Sequence, residues 1–239
     1  MAKLFAPKFK RPVKIAVMNR KGGTGKTNTT INLGVEFINR GYNTVIADTE
    51  KEGGCVHWQS LAGDDAKLPV ISMYDPMIKV NIKAYEGDTD IILLDTAGII
   101  SDVDSEEDGK ASTINSKVMA MADYVIVPLQ PSAADFRATE SCVESLQKIQ
   151  DIRDGKPYFR ILLTSTRANE ELTRLALDMF GDNYPHPVFK STIRRSEEFK
   201  KAFALGMGVV DTRKSGDSAQ DIRDLADEIL KDLSEGRGA

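Results

Sequence analysis

The sequence predicts an α/β fold, a doubly wound and mostly parallel sheet with helices on both faces. Three observations carry this reading. Short, almost wholly apolar, β-prone runs recur at residues 13–18, 44–47, 91–94, 124–127 and 159–163. Helical patterns separate them, and the first run feeds directly into a glycine-rich turn. Strands that are nearly all apolar are buried on both sides, as a parallel sheet clad in helices requires.

The elements follow in order. After the first run a helix is expected over residues 27–40, with Ile31, Val35 and Ile38 at helical spacing and Gly41 as its stop. The second run ends at Asp48 and the third at Asp95. Residues 101–110, rich in Asp, Glu and Ser, read as an exposed loop before a helix near 113–121. The fourth run ends at Pro128 and leads to a helix over about 137–152, striped by Cys142, Val143, Leu146 and Ile149. A helix near 169–180 follows the fifth run, and the last helix carries Ile222, Leu225, Ile229 and Leu233 on one face.

Composition narrows the class. With 239 residues, 41% of them hydrophobic, the chain can bury one sizeable core, so the expected organisation is a basic extension over 1–12 and one domain over 13–235. No apolar run approaches the roughly 18 residues of a membrane span, and no apolar stretch follows the basic start, so a cytoplasmic protein is expected. Cys55 and Cys142 have no metal or disulfide spacing and read as buried thiols. Net charge is −4, yet Lys3, Lys8, Lys10, Arg11 and Lys14 give the start a local surplus of +5, and residues 186–214 carry a local +4. That asymmetry permits a polyanion site on an otherwise acidic body.

In open α/β sheets ligands bind beyond the carboxyl ends of the strands. There the sequence places Lys21-Gly22-Gly23-Thr24-Gly25-Lys26-Thr27, then Asp48, Asp95 and the turn from Pro128. The glycines let successive N–H groups turn inward toward phosphate oxygens, and the helix that follows adds its positive end. Lys26 can reach the β and γ phosphates, and Thr27 offers a hydroxyl to Mg²⁺. Asp95, at the end of an apolar strand, suits a carboxylate that positions the metal. Arg20 stands where the common phosphate-loop pattern has its first glycine.

Lys21 followed by Gly-Gly-Thr-Gly-Lys-Thr resembles the ParA/MinD class of deviant Walker ATPases, a P-loop NTPase group, and is most similar to small plasmid-partition ParA proteins. The resemblance implies ATP and Mg²⁺ as cofactors, with Gly22, Gly23, Thr24, Gly25, Lys26, Thr27 and Asn28 on the nucleotide and Thr27, Asp48 and Asp95 at the metal. It implies that Lys21 crosses a nucleotide-sandwiched homodimer to the partner's phosphates. Asp95-Thr96-Ala97-Gly98 resembles the second switch of these proteins. Asp48-Thr49-Glu50-Lys51-Glu52 stands where they read Asp-x-Asp-Pro-Gln, so Glu50 replaces the acid that orients the attacking water and slow, partner-dependent hydrolysis is expected. Pro131 in the turn after Pro128, and Arg167, match positions beside the base.

Phe199, Ala202, Gly206 and Val209 match the partition-ATPase spacing F-x-x-A-x-x-x-G-x-x-V, although Ser196 stands where an arginine is usual. Trp58 matches a tryptophan of many plasmid relatives. The basic set Lys190, Arg194, Arg195, Lys200 and Lys201 is the candidate surface for nonspecific DNA. The acidic polar side of the last helix disfavours an anionic membrane, unlike the MinD branch. The resemblance thus implies an ATP-dependent switch that holds nonspecific DNA, answers to a ParB-type or other adaptor and segregates a plasmid or other replicon. The alternative is a positioning or assembly ATPase for a protein cargo such as a microcompartment, chemoreceptor array or transfer-DNA complex.

Overall fold

The computed structural model describes residues 9–98, 106–167, 171–179, 186–213 and 216–238. Seven parallel strands form the centre: β1 (Val13–Val17), β2 (Thr44–Asp48), β3 (Val70–Ser72), β4 (Ile91–Asp95), β5 (Tyr124–Leu129), β6 (Tyr158–Thr166) and β7 (Ile193–Arg194). Their spatial order is β3-β2-β4-β1-β5-β6-β7. The helices are α1 (Lys26–Asn39), α2 (Gly54–Ala62), α3 (Ile78–Asn81), α4 (Glu106–Met121), α5 (Ala133–Ile152), α6 (Glu171–Met179), α7 (Glu197–Ala204) and α8 (Gly216–Ser234).

Successive strand residues point to opposite faces, and both faces are packed. Ile15 and Val17 join Ile31, Phe37, Trp58, Phe199, Ile222 and Ile229 on the α1, α2, α7 and α8 side. Ala16 joins Ile78, Ile114, Val118, Cys142 and Leu146 on the α3, α4 and α5 side. Cys55 and Cys142 are both buried free thiols, and the expected stripe of α8 is buried throughout.

The end of α8 is tied to the sheet through Asp232, which accepts from Tyr124 Oη at 2.7 Å, Arg160 Nη1 at 3.2 Å and Arg237 Nη1 at 2.8 Å. A buried carboxylate is tolerated where cations and a hydroxyl meet it in this way.

Several elements differ from expectation. Helix α4 begins at Glu106, so 106–110 are helical rather than part of an exposed loop; residues 101–105 lie outside the described residues. Acidic side chains that suggest a loop are equally favourable in a first helical turn, beside the positive end of the helix. Helix α5 starts at Ala133, four residues before the expected start, because Ser132 caps it by accepting from Asp135 N at 3.2 Å. Strands β3 and β7 are three and two residues long, too short to show periodicity, and α2 and α7 were likewise not anticipated.

The order β2-β4-β1-β5-β6 puts five adjacent strand ends in one row. Every candidate phosphate or metal residue lies at or just past these ends.

Candidate functional site

The turn after β1 closes on glycine. Gly23 has φ 76° and Gly25 has φ 96°, in the left-handed region that side chains disfavour. Gly25 is also the N-cap of α1, and no side chain among the described residues caps it. The first N–H groups of α1 therefore face the loop, the arrangement that suits an anion. Two side chains brace the turn from neighbouring strands. Gln130 Nε2 donates to Gly23 O at 2.6 Å, and Thr164 Oγ1 donates to Thr24 O at 2.7 Å. At the foot of the loop, Asn19 Oδ1 accepts from Lys21 N at 3.2 Å, while its Nδ2 donates to Pro128 O at 2.8 Å.

The two lysines of the loop point to different partners. Lys26 Nζ donates to Lys21 O at 3.1 Å across the turn. Burial lowers the Lys26 pKa, against the pull of Asp95 and Glu50. Lys21 Nζ pairs instead with the buried carboxylate of Asp135 on α5, which also accepts from Ser132 Oγ at 2.8 Å.

Asp48 and Asp95 are register partners on adjacent strands. Asp95 is fully buried and accepts from Thr27 Oγ1 at 2.7 Å, Thr30 Oγ1 at 3.1 Å and Cys55 Sγ at 3.4 Å. Burial pushes its pKa up to about 7; the Thr27 hydroxyl pulls the other way, and Asp48 adds to the rise. Asp48 does different work. Its Oδ2 accepts from Cys55 N at 2.8 Å and Val56 N at 3.1 Å, and its Oδ1 from Glu50 N at 3.2 Å. It thus caps α2 from a neighbouring strand end and fixes the loop that carries Glu50. Glu50 is partly buried, and burial raises its pKa against the attraction of Lys26.

These residues fit a nucleotide with a hard cation. A hydroxyl and a carboxylate oxygen adjoin at Thr27 and Asp95. Among the described residues no cluster of three His, Cys, Asp or Glu side chains could hold a metal unaided. Mg²⁺ suits that arrangement, because it retains waters and takes part of its shell from phosphate. A cavity of about 590 Å³ opens beside the loop, lined by residues that include Gly25, Asn28, Thr29, Ser165, Arg195 and Phe203. Thr29 is fully buried, and its Oγ1 has no hydrogen-bond partner among the described residues. A buried hydroxyl left unpaired beside a cavity is a donor awaiting a ligand.

The segment that follows β4, Thr96 to Gly98, presses on the loop. A Cβ at Gly98 would stand 2.7 Å from Gly22 N and 2.9 Å from Lys21 C, so the two backbones touch. Asn115 of α4 holds the same segment by donating to Ala97 O at 2.8 Å.

Other expected residues lie elsewhere. Pro131 and Arg167 are outside the set that lines the cavity; Thr164 and Ser165 at the end of β6 take that wall. The spacing Phe199, Ala202, Gly206 and Val209 is structural: Phe199, Ala202 and Val209 are buried, and Val209 N donates to Asn32 Oδ1 at 2.7 Å. Gly206, with φ 62°, lies so close to Ala62 that a Cβ would fall 2.2 Å from its nitrogen. Trp58 Nε1 donates to Met207 O at 3.2 Å in the same turn.

The basic set is largely engaged within the chain. Arg194 bonds Asp221 through Nε and Nη2 at 2.8 Å, and Asp217 through Nη1 at 2.8 Å. Lys200 pairs with Glu197 at 2.9 Å and Lys201 with Glu198 at 2.8 Å. The side chains of Lys190 and Arg195 make no ion pair among the described residues.

Comparison with known proteins agrees with this architecture. The sequence profile of the CobQ/CobB/MinD/ParA nucleotide binding domain matches residues 15–226. The maintenance of carboxysome distribution protein A of Halothiobacillus neapolitanus is 24% identical over 223 residues, covering 90% of this chain and 95% of that protein. The cell division protein PomZ of Myxococcus xanthus is 23% identical, covering 90% of this chain and 77% of its own length. Among solved structures, a variant of Cyanothece McdA in complex with ATP superposes with a TM-score of 0.70 at 13% identity, covering 92% of this chain and 96% of that one. The septum site-determining protein MinD of Pyrococcus horikoshii with Mg-ADP gives 0.66 at 20% identity, covering 95% and 99%. With a profile matched across most of its length and a phosphate loop built as above, the chain belongs to the CobQ/CobB/MinD/ParA nucleotide-binding family of P-loop ATPases.

Proposed function

We propose that this protein is an ATP-dependent dimeric switch, with residues 13–235 as its ATPase domain and 1–12 as a basic extension, that positions or segregates a cargo. The observation that carries the proposal is the pair of loop lysines with different stations: Lys26 folded over the turn, and Lys21 held aside on Asp135. In this reading Gly22, Gly23, Thr24, Gly25, Lys26, Thr27 and Asn28 bind the triphosphate of ATP. Thr27 and Asp95 serve Mg²⁺, with Asp48 fixing the shell behind them. Bound Mg²⁺ supplies charge neutralisation on the β and γ phosphates. Glu50 orients water, and Lys21 leaves Asp135 to meet developing negative charge on the partner copy's phosphate. Hydrolysis is slow until an adaptor of ParB or other type acts.

The ATP dimer holds nonspecific DNA through Lys190 and Arg195, assisted by Lys200 and Lys201, and the cargo is a plasmid or other replicon. A second reading, a protein cargo, is supported by similarity to a carboxysome distribution protein over nearly both full lengths, and by the internal pairing of Arg194, Lys200 and Lys201. The test is retention of a random-sequence duplex with ATP, with ADP and without nucleotide across a salt series. Retention that needs ATP and falls steeply with salt supports the DNA-carried switch. Absence of retention at low salt, with ATP-dependent dimers still forming, favours the protein cargo. A protein that stays monomeric with ATP and Mg²⁺ would sink both readings.

A further inference from the structure

A second cavity, of about 260 Å³, lies between α4 and α5 on the sheet face opposite α1. Its floor is apolar, with Met18, Met119 and Ile149. Its charged lining among the described residues is cationic, Arg20 and Lys148, beside the neutral Asn19, Ser112, Asn115, Ser116 and Ser145. Lys148 makes no ion pair among the described residues, and Arg20 Nη1 donates only to the neutral Ser141 Oγ, at 2.6 Å. Asn115, also in the lining, has its Nδ2 committed to Ala97 O. Its Oδ1 is buried and has no partner among the described residues.

Small-ligand sites combine an apolar body with a few convergent polar groups. Here two cations and one unpaired acceptor stand among neutral side chains, of which Ser116, Ser145 and Asn19 are already engaged within the chain. The two cations and the acceptor call for a carboxylate on a short apolar stem, with one hydrogen-bond donor in reach of Asn115. We propose that this crevice is a second ligand site for such a carboxylate, and that its occupant acts on the ATPase. The route is short: Asn115 grips the second switch, Arg20 precedes Lys21 in the loop, and α5 carries both Lys148 and Asp135. An occupant that draws α4 and α5 together moves Ala97 and the station of Lys21 as one. The coupling to turnover rests on the hydrolytic reading above; binding itself does not.

The probes are 4-phenylbutyrate, the neutral 4-phenylbutanol, and the peptide acetyl-Leu-Glu-Leu-amide. Thermal shift is measured without nucleotide and again with saturating ADP and Mg²⁺, so that the nucleotide cavity is closed to the probe. A saturable shift with the acid is expected in both conditions, with at least tenfold weaker binding of the alcohol. Lys148→Ala, an exposed change that leaves basal turnover intact, should lose the shift, and Met119→Trp, which fills the crevice, should lose it as well. Turnover of wild type should change at least twofold on saturation. The peptide binding more tightly than the free acid identifies a partner protein's side chain as the source, and the reverse identifies a free metabolite. No saturable binding, equal binding of acid and alcohol, or full binding by Lys148→Ala overturns the site. Binding with unchanged turnover removes the regulatory link.

Discussion

Lys21 Nζ rests on the buried carboxylate of Asp135 within its own chain. The cation that would serve a partner copy is therefore stationed at home in the single chain, and it must exchange one anion for another when a dimer closes. Replacing Asp135 with Asn keeps the shape and removes the competing charge. Dimers should then form at an ATP concentration several-fold lower, read by sedimentation with Mg²⁺ present. Lys21→Ala should abolish the dimer and lower turnover by about 100-fold or more, the scale of losing one transition-state charge contact.

Asp95 places a buried carboxyl among hydroxyls and beside Asp48, with its pKa raised to about 7. A carboxyl whose folded pKa lies above its unfolded value adds stability below the unfolded pKa, and that stability is lost as pH rises through the folded one. The nucleotide-free protein should therefore melt at a higher temperature at pH 5.5 than at pH 8. Asp95→Asn should flatten this gradient and raise the melting temperature at pH 8, while Mg²⁺-dependent turnover disappears. Differential scanning calorimetry at the two pH values reads both effects.

Glu50 is one methylene longer than the aspartate that its position resembles. A misplacement of about 1 Å can cost about 100-fold in rate. Glu50→Asp should accordingly speed basal ATP turnover by roughly tenfold or more, measured as phosphate release, and an unchanged rate would remove Glu50 from the water-positioning role.

Asp48 accepts two backbone N–H groups in the first turn of α2 and a third from Glu50 in the loop before it. Asp48→Ala leaves those donors unpaired and should cost about 1–3 kcal/mol, seen in urea melts. Trp58 is the only tryptophan of the chain and sits on this helix, so its emission should shift in the same variant.

Arg194 and Arg195 are neighbours with opposite stations. Arg194→Ala should leave ATP-dependent DNA retention within about twofold and lower stability by about 0.5–1 kcal/mol, as for an exposed ion pair. Arg195→Ala should weaken retention and reduce its salt slope. Equal losses from both changes would contradict the placement.

Much of this architecture was legible in the sequence because the central strands are almost wholly apolar and each ends in a residue of distinct chemistry. Asp48, Asp95 and the loop lysines could be brought together because parallel strands turn all their carboxyl ends to one edge of the sheet. The partners that discriminate among them could not. Asp135 lies on α5 more than a hundred residues from Lys21, and Cys55 reaches Asp95 only because α2 turns back over the strand ends. Strands β3 and β7 are too short to carry a pattern. The basic run 190–201 shows why local charge misleads: the acids that neutralise Arg194 belong to α8, some 25 residues later.

The seam at Gly98 sets the repertoire of the molecule. Because backbone meets backbone there, a single methyl group would pry the segment after β4 off the phosphate loop before any ligand arrived. The resting shape of this protein is thus written by a hydrogen atom at residue 98.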